Sequence, residues 1–241
     1  MRAILAAVLI AAFLSACAGP VIQPPPPTPQ VITAAFTPAT RTWQPAFQAC
    51  ADTDLQMRLL REEKPWTHMA LEDGLSVRLG SPTMETPYFA VQIGEEQIVV
   101  IVNPENPLEQ LSAEVLRAIY SGQYTMWNEG VLSYAQDLHV WSYPESNELS
   151  QIFLSALWQA NPPVIMAFLV PDPEAMVEAV RADPGAIGFI PASWLTNSAV
   201  RSITLETEIL HALLQPVLVI SNHEPQGLER ILISCLQANP K

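Results

Sequence analysis

The sequence predicts an α/β fold in which mixed, mainly parallel sheets are flanked by helices. Short β-prone runs alternate along the chain with amphipathic segments of helical period, the order that builds parallel sheets with covering helices. Of the 241 residues, 49% are hydrophobic and only 15% are charged, a composition that favours a sizeable core over disorder. Roughly 210 residues follow the N-terminal segment, enough for one large domain or two smaller lobes.

The folded region is predicted to begin with a strand and a helix. Residues 31–36, VITAAF, are apolar and β-prone. Thr37 can cap a helix that has Pro38 at its first position and runs to about Asp52. Further strands are predicted at 55–62 and 75–82. This β-α-β order with short turns is typical of a parallel sheet covered by helices.

The remainder of the chain continues the alternation. Residues 98–102, IVVIV, form a continuous apolar strand that Asn103-Pro104 stops. Ser112 can cap a helix that Gly122 ends. Further strands are predicted at 137–144, 186–190 and 213–221, and further helices at 146–160, from the capping residue Asp172 onward, and at 224–239.

The N-terminus, MRAILAAVLIAAFLSAC, has the layout of a secretory signal peptide over residues 1–16. The apolar run is too short to span a bilayer comfortably, since a spanning helix needs about 20 apolar residues. Leu14, two small residues and Cys17 resemble the lipobox of bacterial lipoproteins, in which the cysteine is lipidated and becomes the new N-terminus. The alternatives are an uncleaved signal anchor or a buried helix, and the run is short for either.

Residues 17–30 are predicted to form a tether after this lipidated cysteine. Six prolines lie between Pro20 and Pro29, and such a tract favours an extended polyproline conformation that acts as a semi-rigid spacer. The alternative is disordered filler. Both interpretations place the folded domain outside the cytoplasm, anchored to the cell membrane by lipid.

Charge and motif content exclude several classes of function. The formal net charge is −13, which argues against nucleic-acid binding because that requires basic patches. The four histidines show no metal-ligand spacing, and the chain lacks the short motifs of zinc proteases, serine hydrolases, redox dithiols and P-loop enzymes. We therefore expect no metal, no cofactor and no enzymatic activity.

Cys50 and Cys235 are a candidate disulfide pair. In an oxidising compartment an even pair of cysteines favours a bridge. The bridge would require the first and last helices to be neighbours. The alternative is two buried free thiols.

Two stretches carry a resemblance to a known family. IVVIVNPENPLEQLSAEVLRAIYSGQYTMWNE, followed later by DPGAIGFIP, resembles the phosphate-type solute-binding proteins of ABC importers, which have a two-lobed type II periplasmic-binding-protein fold. The resemblance is closest over residues 96–191. It implies one lobe from residues 31–97 plus 205–241 and a second from 98–204, and a disulfide that staples the first lobe. It also implies a monomer that captures a small-molecule solute for a membrane permease, near which the lipid on Cys17 holds it.

Candidate ligand-binding residues follow the carboxyl ends of the predicted strands, where α/β proteins place ligands against helix N-termini. The candidates are Thr37, Ala39 and Thr40 after the first strand, Gly80 and Ser81 after the third, and Tyr143, Ser146, Asn147 and Glu148 in the second lobe. Thr37 has the alternative role of a plain helix cap, and Ser81 that of a turn residue.

The second-lobe segment departs from the family it resembles. Phosphate binders place an arginine after the strand and Gly-Ser-Gly-Thr at the helix start, whereas this chain has SYPESNEL with Tyr143 at the arginine position. Glu145 and Glu148 add negative charge that would repel an oxyanion. The segment therefore favours a neutral polar or cationic solute over inorganic phosphate. Alternatively, the two glutamates are solvated cap residues and Tyr143 packs at the lobe edge.

Two functions follow from these observations. The first is a solute-binding lipoprotein that serves an ABC importer and closes its cleft around the ligand. The second is a surface sensor or interaction module that keeps the fold without transport, which the altered anion loop favours. A hydrolase is disfavoured because the sequence offers no nucleophile–base set.

Overall fold

A computed structural model describes residues 28–68, 74–80, 89–129, 135–158, 163, 165–195 and 199–239. The predicted signal peptide, the lipidation site Cys17 and most of the tether lie outside these residues, as does Ser81. None of the described helices has the length and apolarity needed to cross a membrane.

The described residues form eleven strands and six α-helices. The strands are β1 (Gln30–Phe36), β2 (Met57–Glu63), β3 (Leu75–Leu79), β4 (Phe89–Val102), β5 (Gln110–Leu111), β6 (His139–Ser142), β7 (Phe168–Leu169), β8 (Ala186–Pro191), β9 (Arg201–Ser202), β10 (Thr204–Leu205) and β11 (Leu214–Ser221). The helices are α1 (Gln44–Ala51), α2 (Ala113–Tyr120), α3 (Glu148–Trp158), α4 (Pro173–Ala182), α5 (Thr207–Ala212) and α6 (Gly227–Ala238). Short 3₁₀ helices span Pro38–Trp43, Trp66–His68 and Ala192–Trp194.

One mixed sheet carries most of the strands, in the order β2-β1-β3-β11-β4-β8-β6-β7, with β9 also paired to β4. The neighbours of β1 and of β6 are parallel, whereas β11 and β4 run antiparallel to the strands beside them. This arrangement confirms the predicted mixed α/β architecture.

Strand β4 connects two halves of the sheet. Its residues Phe89–Gln97 pair with β11, and its residues Ile98–Val102 pair with β8. We call the strands on the β11 side the first half and those on the β8 side the second half. The sequence predicted only the buried apolar end of this strand. The earlier part has one exposed face and includes Gly94 and Glu95, so its residues lack a continuous apolar run.

Helix caps and most element positions agree with the predictions. Ser112 Oγ accepts the Val115 N–H at 3.2 Å, and Asp172 Oδ1 accepts the Ala175 N–H at 2.9 Å. The helix predicted after Thr37 begins as 3₁₀ and becomes α-helical only at Gln44. The short strands β5, β7, β9 and β10 had no sequence prediction, because two-residue strands carry no measurable periodicity. The six-residue helix α5 was not predicted either.

Cys50 on α1 and Cys235 on α6 form a disulfide, with a Cα–Cα distance of 5.8 Å. The predicted pairing is therefore confirmed, and the alternative of two free thiols is wrong. Helix α6 also packs on β1 and β4, and α1 packs on β2. The bridge thus fastens two helices that cover the same half of the sheet.

Candidate ligand-binding site

A cavity of about 310 Å³ lies where the two halves of the sheet face each other. Three helices begin at its wall, namely the 3₁₀ helix at Pro38, α3 at Glu148 and α4 at Pro173. We call this cavity the cleft. It is lined by Thr37, Pro38, Ala39, Pro65, Trp66, Thr67, Pro144, Ser146, Asn147, Glu148, Pro171 and Asp172.

The turn after β1 forms one wall of the cleft. The Thr37 N–H donates to Thr40 Oγ1 at 3.1 Å, and the Thr40 hydroxyl donates to the Val77 carbonyl at 2.9 Å. Thr40 is therefore buried and holds the turn against β3, while Thr37 and Ala39 reach the cleft. The pattern follows from a threonine cap and a second threonine three residues later, which satisfy each other's polar groups.

Trp66 adds an aromatic wall that the sequence analysis did not anticipate. It follows the carboxyl end of β2, and the Arg78 guanidinium lies 5.0 Å from its ring centroid. The Trp66 indole nitrogen is buried and has no hydrogen-bond partner within the described residues. Ligands of α/β proteins lie beyond the carboxyl ends of strands, and this holds for β2 as well as for β1 and β3. The position of Trp66 after β2 could therefore have marked it as a candidate.

The opposite wall is formed by the starts of α3 and α4. Asn147 Oδ1 accepts the Leu149 N–H at 2.9 Å, and Asn147 Nδ2 donates to the Pro171 carbonyl at 3.4 Å. Asp172 caps α4. Because the chain's own side chains cap both helix starts, fewer backbone N–H groups are left there for a bound anion.

Glu148 is the most unusual group in the cleft, because its side chain is only 6% exposed. Its Oε2 accepts the Leu79 N–H at 3.2 Å, and the nearby Thr37 hydroxyl, which lies 3.1 Å from Thr40 Oγ1, favours the ionised form of the carboxyl group. Its Oε1 is buried and has no partner among the residues that the structure describes. Burial raises the pKa of Glu148 to about 7, against the opposing effects of Thr37, the Leu79 N–H and the charge of Arg78.

The structure brings some of the predicted site residues together and separates the others. Thr37, Ala39, Ser146, Asn147 and Glu148 line the cleft together, and their role in binding stays a prediction. Three other described candidates do not line it. Thr40 lies behind the wall, Gly80 borders a separate depression beside Ile152 and Gln215, Tyr143 is in the core, and Ser81 lies outside the described residues.

Tyr143 does not take the position expected for it. Its side chain is 1% exposed, and its hydroxyl donates to the Phe189 carbonyl at 2.9 Å. Burial raises the pKa of this phenol well above its ordinary value. The ring packs edge-on against Phe189 at 5.2 Å, because a large aromatic ring gains more from burial than from a place at a polar surface. Neither the binding role nor the lobe-edge alternative describes this placement.

The cleft wall is acidic. Among the described lining residues Glu148 and Asp172 are acidic and none is basic. Arg41 lies nearby, but its guanidinium is 2.7 Å from Glu174 and 3.6 Å from Glu63. No group of three or more His, Cys, Asp or Glu side chains that could hold a metal ion occurs in the described part of the chain.

A second depression, of about 420 Å³, lies at the sheet edge beside β7. Its lining is mainly apolar and includes Ile119, Leu138 and Phe168. It lacks charged side chains among the described residues and lies away from the starts of α3 and α4. A ligand site requires convergent polar groups that fix orientation, so the cleft is the stronger candidate.

Sequence comparison finds one family match. The model of the PBP superfamily domain matches residues 52–225. This range includes most of the sheet and the Asn147–Glu148 wall of the cleft, but not the turn after β1. No curated protein matches the chain in sequence.

Solved structures share the fold at low sequence identity. An ABC-type phosphate transport receptor from Vibrio cholerae is 18% identical, with a TM-score of 0.65 over 87% of this chain and 94% of that one. A protein described as a phosphate ABC transporter substrate-binding protein, with bound phosphate, from Clostridium perfringens is 16% identical, with a TM-score of 0.74 over 86% and 93%. The CcmR regulatory domain of Synechocystis PCC6803, in complex with 2-PG, is 11% identical, with a TM-score of 0.66 over 86% and 96%.

Proposed function

The chain belongs to the PBP superfamily and has a type II PBP-like fold, and on this premise we propose that it is an extracytoplasmic solute-binding protein of an ABC importer. It captures a small molecule in the cleft and delivers it to a membrane permease. Two solved structures of the same fold are named for phosphate transport, which supports import as the process.

The observation that carries this proposal is the cleft itself. A cavity of about 310 Å³ suits a small metabolite, since ligand pockets span about 300–1,000 Å³. It combines an aromatic ring, a side-chain amide, hydroxyl groups and a buried carboxyl group from both halves of the sheet. Groups from two halves that meet at one cavity can close around a ligand by hinge motion.

The ligand is proposed to be a neutral polar or cationic solute, not inorganic phosphate. Asp172 would face an anion at short range, as would Glu148 when it is ionised, and two like charges 4 Å apart repel by about 4 kcal/mol at an effective dielectric of 20. An ammonium group could instead approach the partly exposed Asp172 carboxylate in the cleft wall and the face of Trp66. The non-phosphate assignment therefore rests on Glu148 and Asp172 in the cleft.

The cellular placement follows from the N-terminus. We propose that residues 1–16 are removed on export, that Cys17 carries the lipid, and that residues 17–30 form the spacer. The lobes are proposed as 31–97 plus 205–241 and 98–204, with the crossover in β4 as support. The protein is proposed to act as a monomer without catalytic activity.

A thermal-shift screen of the purified protein tests the proposal. Amines, amino acids, polyamines, sugars and oxyanions are compared, because a ligand at 100 times its Kd stabilises the folded state by about 2.7 kcal/mol. Trp66→Ala should abolish the shift of the positive ligand. Phe168→Ala, in the apolar depression, is the control and should retain it. A clear shift with sub-millimolar phosphate, or loss of the shift in the control alone, would contradict the assignment.

A sensor or interaction module is the second candidate. The CcmR regulatory domain shares the fold with a TM-score of 0.66, so this architecture also occurs in a regulatory protein. Uptake of the identified ligand by cells with and without the chain separates the two functions. Import predicts lower uptake after deletion, whereas sensing predicts unchanged uptake.

A further inference from the structure

The carboxyl group of Glu148 is bound by the opposite half of the sheet. The Leu79 N–H donates to it, and although burial raises the pKa of Glu148, the Thr37 hydroxyl and the charge of Arg78 oppose that rise. We infer that Glu148 is an intramolecular ligand whose carboxyl group fills a latent oxyanion site and keeps free oxyanions out of the cleft. This inference rests on the proposed function in that it concerns the same cleft.

The partners of Glu148 are of the kind that bind oxyanions. A backbone N–H, a hydroxyl and a nearby guanidinium each favour a negatively charged oxygen. They belong to the first half of the sheet, from the end of β3 and the turn after β1, whereas Glu148 begins α3 in the second half. The carboxyl group therefore lies where a small anion held between the two halves would meet these donors.

An ordinary capping role does not explain the burial of Glu148. Asn147 already accepts a backbone N–H at the start of α3. Glu145, three residues earlier, is exposed to solvent, where a carboxylate can favour a helix N-terminus without losing its hydration. Glu148 is instead 6% exposed with Oε1 left unpartnered in the described part of the chain. Burial of a polar group without a partner is unfavourable, so specific donors are needed to hold it there.

Glu148 could exclude oxyanions by filling the site or by repelling them with its charge, and substitutions of Glu148 distinguish these two causes. If Glu148 excludes oxyanions by filling the site, removal of the side chain beyond Cβ opens the site. An isosteric amide would leave it filled, because the amide oxygen can still accept the Leu79 N–H. If repulsion alone excludes oxyanions, the amide would admit them as well.

Calorimetric titration of the full-length protein in detergent with inorganic phosphate, and separately with sulfate, tests the inference. Glu148→Ala should bind at least one of the two anions at least tenfold more tightly than the wild type. Glu148→Gln should show no gain. Glu145→Ala, the matched exposed control, should behave as the wild type. Circular dichroism establishes that each variant is folded.

Three titration results would overturn the inference. They are a folded Glu148→Ala that binds neither anion, an equal gain in Glu148→Gln, and wild-type binding as tight as that of Glu148→Ala. A measurement on the wild type alone tests the inference even if Glu148→Ala does not fold. The Leu79 amide proton resonance should follow the titration of Glu148 and should not move on addition of phosphate or sulfate, and an anion-induced shift would refute the occupancy claim.

The two experiments together distinguish failure of the proposed function from failure of the latent oxyanion site. If no solute stabilises the wild type but Glu148→Ala gains an oxyanion, the latent site stands and solute capture is refuted. If a solute binds the wild type through Trp66 but Glu148→Ala gains no oxyanion, solute capture stands and the latent site is refuted.

Discussion

The Leu79 backbone N–H donates to Oε2 of Glu148 at 3.2 Å, which joins the end of β3 to the first turn of α3. The bond connects the two halves of the sheet at the floor of the cleft. Any movement that separates these halves must break it or carry Glu148 along. The protonation state of one carboxyl group is thereby coupled to the geometry of the proposed ligand site.

The first prediction concerns stability against pH. Burial raises the pKa of Glu148 from 4.5 to about 7 in the folded protein, so the folded state binds the proton more tightly than the unfolded chain. The contribution is fully present below about pH 4.5 and is lost as the pH rises through 7. Relative to Glu148→Gln, which does not titrate, the wild type should lose about 3 kcal/mol between pH 4 and pH 8.

Urea unfolding of both proteins at several pH values measures this difference. The other groups around Glu148 are Arg78 on β3, Thr37, and Asp172 at the start of α4, and all three are present in both proteins. The exposed variant Glu145→Gln should follow the wild type. A constant difference between the wild type and Glu148→Gln over the whole range would show that Glu148 is not a buried titrating group.

The second prediction concerns Thr37. Its hydroxyl favours the ionised carboxyl group of Glu148, so Thr37→Val should raise the pKa of Glu148 further and destabilise the fold at pH 8 by about 1 kcal/mol. Thr37→Ser keeps the hydroxyl and should leave the pKa unchanged. Carbon-13 NMR of the Glu148 carboxyl group measures both. An unaltered titration in Thr37→Val would mean that the hydroxyl bonds to Thr40 Oγ1 instead, which lies at 3.1 Å.

The alternation of elements and the caps could be predicted from local sequence. Ser112 and Asp172 precede residues of helical period, and each cap depends only on the residue three positions later. Thr37 and Asn147 were predicted as site residues because ligands of α/β proteins lie beyond the carboxyl ends of strands, and both line the cleft. These features need no knowledge of distant contacts.

Other features depend on tertiary packing and could not be predicted in this way. A glutamate at a helix start normally lies in solvent, and only the position of Leu79, 69 residues earlier in the chain, shows that Glu148 is buried. Tyr143 follows the last residue of β6, where the side-chain direction depends on how the strand ends. Its burial against Phe189 is set by a contact 46 residues away. Asp172 was predicted as a cap, but its place in the cleft wall also depends on packing.

The third prediction concerns the disulfide. The bridge between Cys50 and Cys235 closes a loop of 185 residues, for which the chain-entropy model gives about 5 kcal/mol of stabilisation. Cys50→Ala/Cys235→Ala should lose about 2–5 kcal/mol in urea unfolding, and the reduced wild type should match it. Solute affinity should change little, because both cysteines lie on helices that cover the first half of the sheet. Loss of binding in a folded double variant would contradict this separation.

The fourth prediction assigns Trp127 to the fold and not to the ligand. Its side chain is 1% exposed, and its indole N–H donates to the Gly185 carbonyl at 3.0 Å. It therefore joins the two stretches of sequence that carry the family resemblance. Gly185 cannot readily carry a side chain, because a Cβ would lie 2.2 Å from the Asp137 carbonyl oxygen.

Trp127→Phe removes this hydrogen bond and part of a buried ring, so it should cost about 2–3 kcal/mol in urea unfolding. Trp194→Phe is the matched control. That indole is partly exposed and donates to the Ala39 carbonyl at 3.4 Å, so its loss should cost less than about 1 kcal/mol. Solute affinity of Trp127→Phe should equal that of the wild type, because Trp127 does not line the cleft. Unchanged stability together with lost affinity would instead assign this tryptophan to ligand binding.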